Sequence, residues 1–417
     1  MHFRRLAPCL FAIAAAARGE APMTIGQAVA EAVEKNVGLL AERANIAIAE
    51  ARVITARMRP NPSLSLSANH LDALGSGFDS DNAGGPSEFT AHTDFTVERG
   101  GKRALRTEAA QAARTVAELQ FQNAVRTLKL DVQSAFVDVL LAKETLELAR
   151  KNLASLNQIV EINAARLEAG DLAEVEVIRS RLAALQQENA ARQAQARLRN
   201  ALLQLQMAMG RPLPSPAFDV TGELAHDASV PDLEELRRAA AELRPDLLAM
   251  HRDAERAAAE WRSQMAQAKV DYVVGTEYTR QFLNARSNSL GFTFNVNLPF
   301  FNRNQGEIER AAQERSQAQL RAQATRNKVA GEVALAFEQY TTARDLLRGI
   351  EQHMLKQARD VREITEFAYK RGDASLLELL DAQRAFNETM QAYGEARAEY
   401  TRSLYVLESI SGKAITK

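Results

Sequence analysis

Residues 102–169 contain neither glycine nor proline. These two residue types end helices, one by loosening the backbone and the other by removing an N–H and clashing with the preceding turn. A run of 68 residues lacking both, and rich in Ala, Gln, Glu, Arg and Leu, predicts one helix about 100 Å long at about 1.5 Å per residue. Such a rod is several times the average helix and fits no ordinary globular core. A second clean run covers 171–209 and stops at Met209-Gly210-Arg211-Pro212, glycine followed by proline. Between 307 and 393 there are three glycines (Gly331, Gly349 and Gly372) and no proline. Long antiparallel helices laid side by side are the consequence. Val125, Leu128, Val132, Phe136 and Val139 recur three and four apart with alanine at many seam positions, the pattern of close coiled-coil packing.

Four short segments abandon the helical period for the alternation of two that strands require. They carry Leu64, Leu66, Ala68 and His70; Phe89, Ala91, Thr93, Phe95 and Val97; Tyr272, Val274, Thr276 and Tyr278; and Leu290, Phe292, Phe294, Val296 and Leu298. Polar linkers join them into two hairpins, at about 62–98 and about 270–299. Their length suits tilted transmembrane β-strands, and the face carrying Phe292 and Phe294 is the expected lipid face. An open sheet with an apolar face and bare edges cannot stay in a bilayer, so closure must come from other subunits. A small sheet packed on a helix is the soluble alternative.

The halves of the chain resemble each other. NVGLLAERANIAIAEAR at 36–52 has the shape of RPDLLAMHRDAERAAAE at 244–260, and Gly170 in RLEAGDLAEVEVIRSR answers Gly372 in YKRGDASLLELLDAQR. The expected organisation is a first repeat over 22–210, with a helical hairpin over 102–209. A proline-rich linker follows at 211–231, and then a second repeat over 232–417, with a helical hairpin over 303–410 and a C-terminal tail. Ahead of it, residues 1–21 read as a secretory signal, with a basic Arg4-Arg5 start, an apolar stretch from Leu6 to Ala17, and cleavage after Ala17 or Ala21. Cys9, the single cysteine, sits inside that apolar stretch, which excludes a disulfide framework or a cysteine metal cluster in the processed chain.

Fifty-two basic against 53 acidic residues leave a net charge of -1, which argues against a nucleic-acid partner bound through phosphate neutralisation. No phosphate loop, GxSxG or HExxH occurs and the six histidines are scattered, so no catalytic, cofactor or resident metal site is expected. Gly100-Gly101 ahead of Lys102 is a turn at a helix start. In Tyr369-Lys370-Arg371-Gly372-Asp373-Ala374-Ser375, Gly372 breaks a helical run and Asp373 is placed to cap the next helix. Glu378 and Asp381 then stand three apart on one face.

In its signal, its opening helix TIGQAVAEAVEKN, the stretch MRPNPSLSLSA, the twofold repeat and both glycine tips, the sequence resembles the TolC-like outer-membrane efflux proteins. RGGKRALR after the second strand looks like the CzcC-like subgroup that works with heavy-metal pumps of the resistance-nodulation-division (RND) type. The resemblance implies a mainly α fold with a small β part: a homotrimer whose protomers each give four strands to a 12-stranded barrel in outer-membrane lipid, continued by an α-helical tube in the periplasm. It implies a passive exit duct, not an enzyme, that docks a periplasmic adaptor (membrane fusion protein) and an inner-membrane RND-type pump and exports heavy-metal cations. A multidrug or type I protein-secretion duct, or a non-channel periplasmic scaffold, are the alternatives. Carried over by position, Glu378, Asp381, Glu176 and Tyr369 fall at the periplasmic gate. Gly170, Asp171, Leu172, Gly372, Asp373, Ala374 and Ser375 fall at the adaptor contact. Glutamate stands for the family's aspartate at Glu378 and Glu176, which keeps the charge and lengthens the arm.

Overall fold

The computed structural model describes residues 21–71, 87–225, 229–282 and 287–415. Residues 1–20, with nearly all of the expected leader, and residues 72–86 and 283–286 of the strand linkers lie outside them, as do 226–228 of the linker between halves. The first half runs α1 (Ile25–Lys35), α2 (Val37–Arg57), β1 (Ser63–Asn69), β2 (Glu88–Val97), α3 (Lys102–Glu168) and α4 (Glu174–Ala208). The second runs α5 (Leu233–Leu243), α6 (Pro245–Gln267), β3 (Tyr272–Gln281), β4 (Ser287–Val296), α7 (Gln305–Gly349), a π turn (Ile350–Met354), α8 (Leu355–Arg371) and α9 (Leu376–Ser411). The uninterrupted helix is therefore real: α3 has 67 residues. Its counterpart is not continuous, because the ladder widens for one π turn directly after Gly349.

Gly100 and Gly101, at φ 72° and 73°, turn the chain from β2 straight into α3, a conformation that costs a glycine little. Asp271 at the foot of β3 fixes that corner. Its Oδ1 accepts from the Arg99 amide at 2.9 Å and its Oδ2 from the buried Lys102 Nζ at 2.7 Å.

The sheet is antiparallel in the order β1-β2-β3-β4, so the two hairpins join through β2 and β3. His70, at φ 52°, and Leu298 fall just beyond the ends of their strands. Register sorts the side chains into two faces. Leu64, Thr93, Thr276 and Phe292 form one row, and Leu66, Ala91, Tyr278 and Leu290 the next. On the opposite face lie Ser65, His92 and Glu277, then Asp94, Gly275 and Thr293.

The helices repeat the order of the strands they serve. α3 packs on α2 and α6, and α6 on α7; beyond them α3 packs on α4 and α9, and α9 on α7 and α8. One edge of the protomer is thus α2, β1 and α4, and the other α7, β4 and α8. Both edges expose apolar side chains. On the first these include Ile48, Ile54, Ile178 and Leu182, and on the second Leu335, Val361, Ile364 and Phe367.

Each half builds its own buried cluster, the first receiving Ala398 from the second half. Val132, Phe136, Leu205 and Met209 form one cluster and Tyr340, Leu347, Tyr400 and Leu404 a second. The segment after Gly210 joins the first cluster through Phe218, Val220 and Leu224, and Val220 bridges Met23 in parallel. Residues 211–225 are a packed strap. Arg211 anchors it by donating from Nε and Nη2 to the two oxygens of Glu31, at 2.8 and 2.9 Å. Hydrogen bonding from Arg211 holds the Glu31 carboxyl below its ordinary value against the opposing effect of burial. A depressed carboxylate contributes stability above its unfolded pKa and loses it as pH falls through the folded one. Glu31→Gln should cost about 1–2 kcal/mol at neutral pH, and the gap in melting temperature from wild type should close below about pH 4. A gap independent of pH would contradict this.

Candidate functional site: the paired helical tips

Both helical hairpins turn their far ends in the same way. At the end of α3 the Asp171 amide donates to Arg166 O at 2.8 Å and the Gly170 amide to Leu167 O at 3.0 Å, with Gly170 at φ 83°. At the end of α8 the Asp373 amide donates to Ala368 O at 2.9 Å and the Gly372 amide to Tyr369 O at 3.0 Å, with Gly372 at φ 86°. This is the Schellman arrangement, which requires a left-handed residue after the helix and so selects glycine. A Cβ at either glycine would meet nothing within 4 Å. Gly170, Asp171, Gly372, Asp373 and Ser375 are exposed, and Leu172 and Ala374 half-buried.

Asp373 does not cap α9. Its amide already closes the turn of α8, so the chain must run two residues further before extended backbone is available. Ser375, at φ -81° and ψ 159°, is the cap. Its Oγ accepts from the Glu378 amide at 3.2 Å, while Glu378 Oε2 accepts from the Ser375 amide at 2.7 Å. This reciprocal capping box holds the Glu378 carboxyl below its ordinary range, through the bond from the Ser375 backbone first and its hydroxyl second. Ser375→Ala should destabilise the first turn of α9 by about 1 kcal/mol. Amide exchange there should quicken roughly fivefold by the same energy, with Asp373→Ala silent; the reverse result would restore Asp373 as the cap.

At the matching place in α4 the cap is Ala173, which offers no side-chain bond. Glu176 instead accepts from Arg179 at 3.0 Å. Asp381 is exposed, on the face of α9 away from buried Leu379 and Ala382.

Tyr369 turns toward α3, with Glu176 near enough to act on its hydroxyl electrostatically. It is buried against α3 with its hydroxyl donating to Asn163 Oδ1 at 2.5 Å. Burial pushes the phenol above its ordinary pKa, so it remains a protonated donor. Arg166 adds to the clasp: its Nη2 donates to Lys370 O at 2.8 Å and to Tyr369 O at 3.3 Å, and its guanidinium sits 5.5 Å from the Tyr369 ring centre. The gate residues expected from the resemblance thus divide into Glu378 in a cap, Asp381 on an exposed face, Glu176 paired to Arg179, and Tyr369 in a helix-to-helix clasp. Asn163 and Arg166 went unnoticed in the sequence. Asn163 had a signal: it follows Leu156 and Ile159 at spacings of three and four, so a polar residue occupies a seam position.

A protomer with a small antiparallel sheet at one end of long paired helices and glycine-cornered tips at the other has the plan of an outer-membrane channel subunit. Solved structures share it. Over 94% of this chain and 92% of the other, it matches CusC, from a study of conformational changes accompanying folding and transmembrane channel formation, with TM-score 0.76 at 19% identity. The Campylobacter jejuni CmeC outer membrane channel matches at TM-score 0.78 and 16% identity, over 93% and 85% of the two chains. The open state of the Neisseria gonorrhoeae MtrE outer membrane channel matches at 0.76 and 18%, over 93% and 89%. The chain belongs to the outer membrane efflux protein family, whose profile matches residues 28–211 and 236–413. It is a transport protein of the outer membrane, not an enzyme. Its sequence is 24% identical over 404 residues to the cobalt-zinc-cadmium resistance protein CzcC of Cupriavidus metallidurans, covering 94% of this chain and 90% of that one.

Proposed function

We propose that the protein is the passive exit duct of a tripartite efflux system and works as a homotrimer. The observation that carries this reading is the pair of unlike, apolar edges running the length of the protomer. When one edge (α2, β1, α4) meets the other (α7, β4, α8) of a neighbour, the contact is heterologous and repeats until a ring closes. β4 then pairs with the next β1, which removes the bare sheet edges that a bilayer does not tolerate. Three copies give 12 strands, with the Phe292 and Phe294 face to lipid and the Ser, His, Asp and Glu face to the lumen.

The exposed tips, from Gly170 to Leu172 and from Gly372 to Ser375, form the adaptor contact, and an RND-type pump in the inner membrane supplies the energy. Likeness to CzcC favours heavy-metal cations as cargo. At the periplasmic mouth Asp381 supplies a ring of carboxylates that attracts cations; Glu378, drawn back onto Ser375, contributes less.

Outer-membrane fractionation tests the assembly, with a heat-modifiable trimer expected and a soluble monomer pointing to a helical scaffold instead. In planar bilayers the purified trimer should prefer cations. Asp381→Asn should remove most of that preference, and adding Glu378→Gln should change it little. Unchanged selectivity in the double variant would make both acids ordinary solvated helix surface.

A further inference from the structure

The polar face of the sheet holds a constellation that the tips do not explain. Strand side chains alternate, so His92 and Asp94 of β2, Glu277 of β3 and Thr293 of β4 share one face, opposite Phe292 and Phe294. His92 is paired with Glu277, and Asp94 with Gly275, which is paired in turn with Thr293. The imidazole lies between two carboxylates, its Nε2 2.9 Å from Asp94 Oδ1 and its Nδ1 3.5 Å from Glu277 Oε2. Gly275 provides the room. A Cβ there would overlap Thr293 Oγ1 and lie 2.7 Å from Asp94 Oδ1, so both oxygens crowd into the notch over the glycine. His92 Nδ1, Asp94 Oδ1 and Thr293 Oγ1 are shielded from solvent and, among the described residues, make no hydrogen bond. Shielded polar atoms are nearly always satisfied in native proteins; two of these, Asp94 Oδ1 and Thr293 Oγ1, share the notch over Gly275, and His92 Nε2 faces the first of them, a donor set open to a cation.

The geometry points to a transit site for a divalent transition-metal cation on the inner wall of the barrel, with His92 Nε2 and Asp94 Oδ1 as ligands and Thr293 Oγ1 as a weaker oxygen donor. Imidazole with carboxylate suits zinc-like ions better than magnesium or calcium. The 2.9 Å between nitrogen and oxygen is the separation of two neighbouring donors of an octahedral ion, each about 2.0–2.1 Å from it, and a tetrahedral zinc would spread them to about 3.4 Å. Glu277, behind the ring, takes the outer position that orients a metal-bound histidine through its other N–H. Among the described residues no three His, Cys, Asp or Glu side chains converge to hold a metal, so this site has two strong ligands and water completes it. That is what passage demands, since an ion must bind well enough to enter and weakly enough to leave.

The inference deepens the efflux reading, on which it relies for the placement of this face in the lumen. Its test uses zinc chloride as the probe, with calorimetry on the purified full-length protein and conductance in planar bilayers. Zinc should bind the wild type and reduce its conductance. His92→Ala and the nearly isosteric Asp94→Asn should each weaken binding at least tenfold and relieve the block. Glu277→Gln should weaken binding by about tenfold, as loss of an outer-shell partner does. Gly275→Ala should behave like His92→Ala by closing the notch, and His251→Ala, an exposed histidine on α6, should bind as wild type. Conducting channels whose zinc response is the same in wild type, His92→Ala and Asp94→Asn overturn the site and leave the duct intact. Zinc binding lost in those variants, in a protein that forms no channel, sustains the site and overturns the duct. A wild type that binds no zinc at millimolar concentration means that His92 is only ion-paired, and the site fails.

Discussion

Phe292→Arg or Phe294→Arg should prevent a stable outer-membrane trimer from accumulating, at a cost of about 2–4 kcal/mol per chain near mid-bilayer. The two rings are 78% and 64% exposed in the isolated protomer, on the face that also carries Leu64, Leu66 and Leu290. In the proposed trimer an arginine there would enter hydrocarbon with no partner, and the symmetry would repeat the penalty in every subunit. The alternate residues of β4, Thr293 and Asn295, face the other way. Asn295→Arg or Thr293→Arg points into a polar lumen and should leave the heat-modifiable trimer in place. Electrophoresis of unheated membranes and urea midpoints of the folded barrel would measure the contrast, and equal tolerance at the two faces would contradict the barrel.

The clasp at the tips sets the second large expectation. In the duct we propose, opening of the periplasmic end would move α8 and α9 away from α3, a movement that Asn163, Arg166 and Tyr369 would oppose. A hydrogen bond to a charged group contributes about 1.5–3 kcal/mol, so Arg166→Ala shifts the balance between closed and open tips by roughly 10- to 150-fold per protomer. Adding Tyr369→Phe removes the remaining bond to Asn163. The double variant should show a raised open probability in bilayers with the subunit fold unchanged, because the clusters around Phe136 and Tyr400 that hold each chain contain none of these three residues. If open probability stays at the wild-type level in a folded trimer, the clasp is only packing. The π turn after Gly349 places an irregular turn in the second hairpin and none in α3.

The long helices, the four strands and the two glycine tips could be read from residue order because each depends on local chemistry. Absence of Gly and Pro over 102–169 lets one helix propagate, alternation at Phe292 and Phe294 imposes the pleat, and a left-handed C′ residue selects Gly170 and Gly372. The family followed from the order of those features along the chain. Tertiary structure alone decided the rest. Whether Asp373 or Ser375 caps α9 depended on which amide the preceding turn had already used. The partner of Tyr369 lies 206 residues away, a distance over which no local pattern carries information. The proline-rich segment after Gly210 became a core strap because Met23 and Glu31 were there to receive it. Helix and strand formation are settled by a residue and its near neighbours, whereas burial, pairing and the two faces of the sheet are settled by what the folded chain brings alongside.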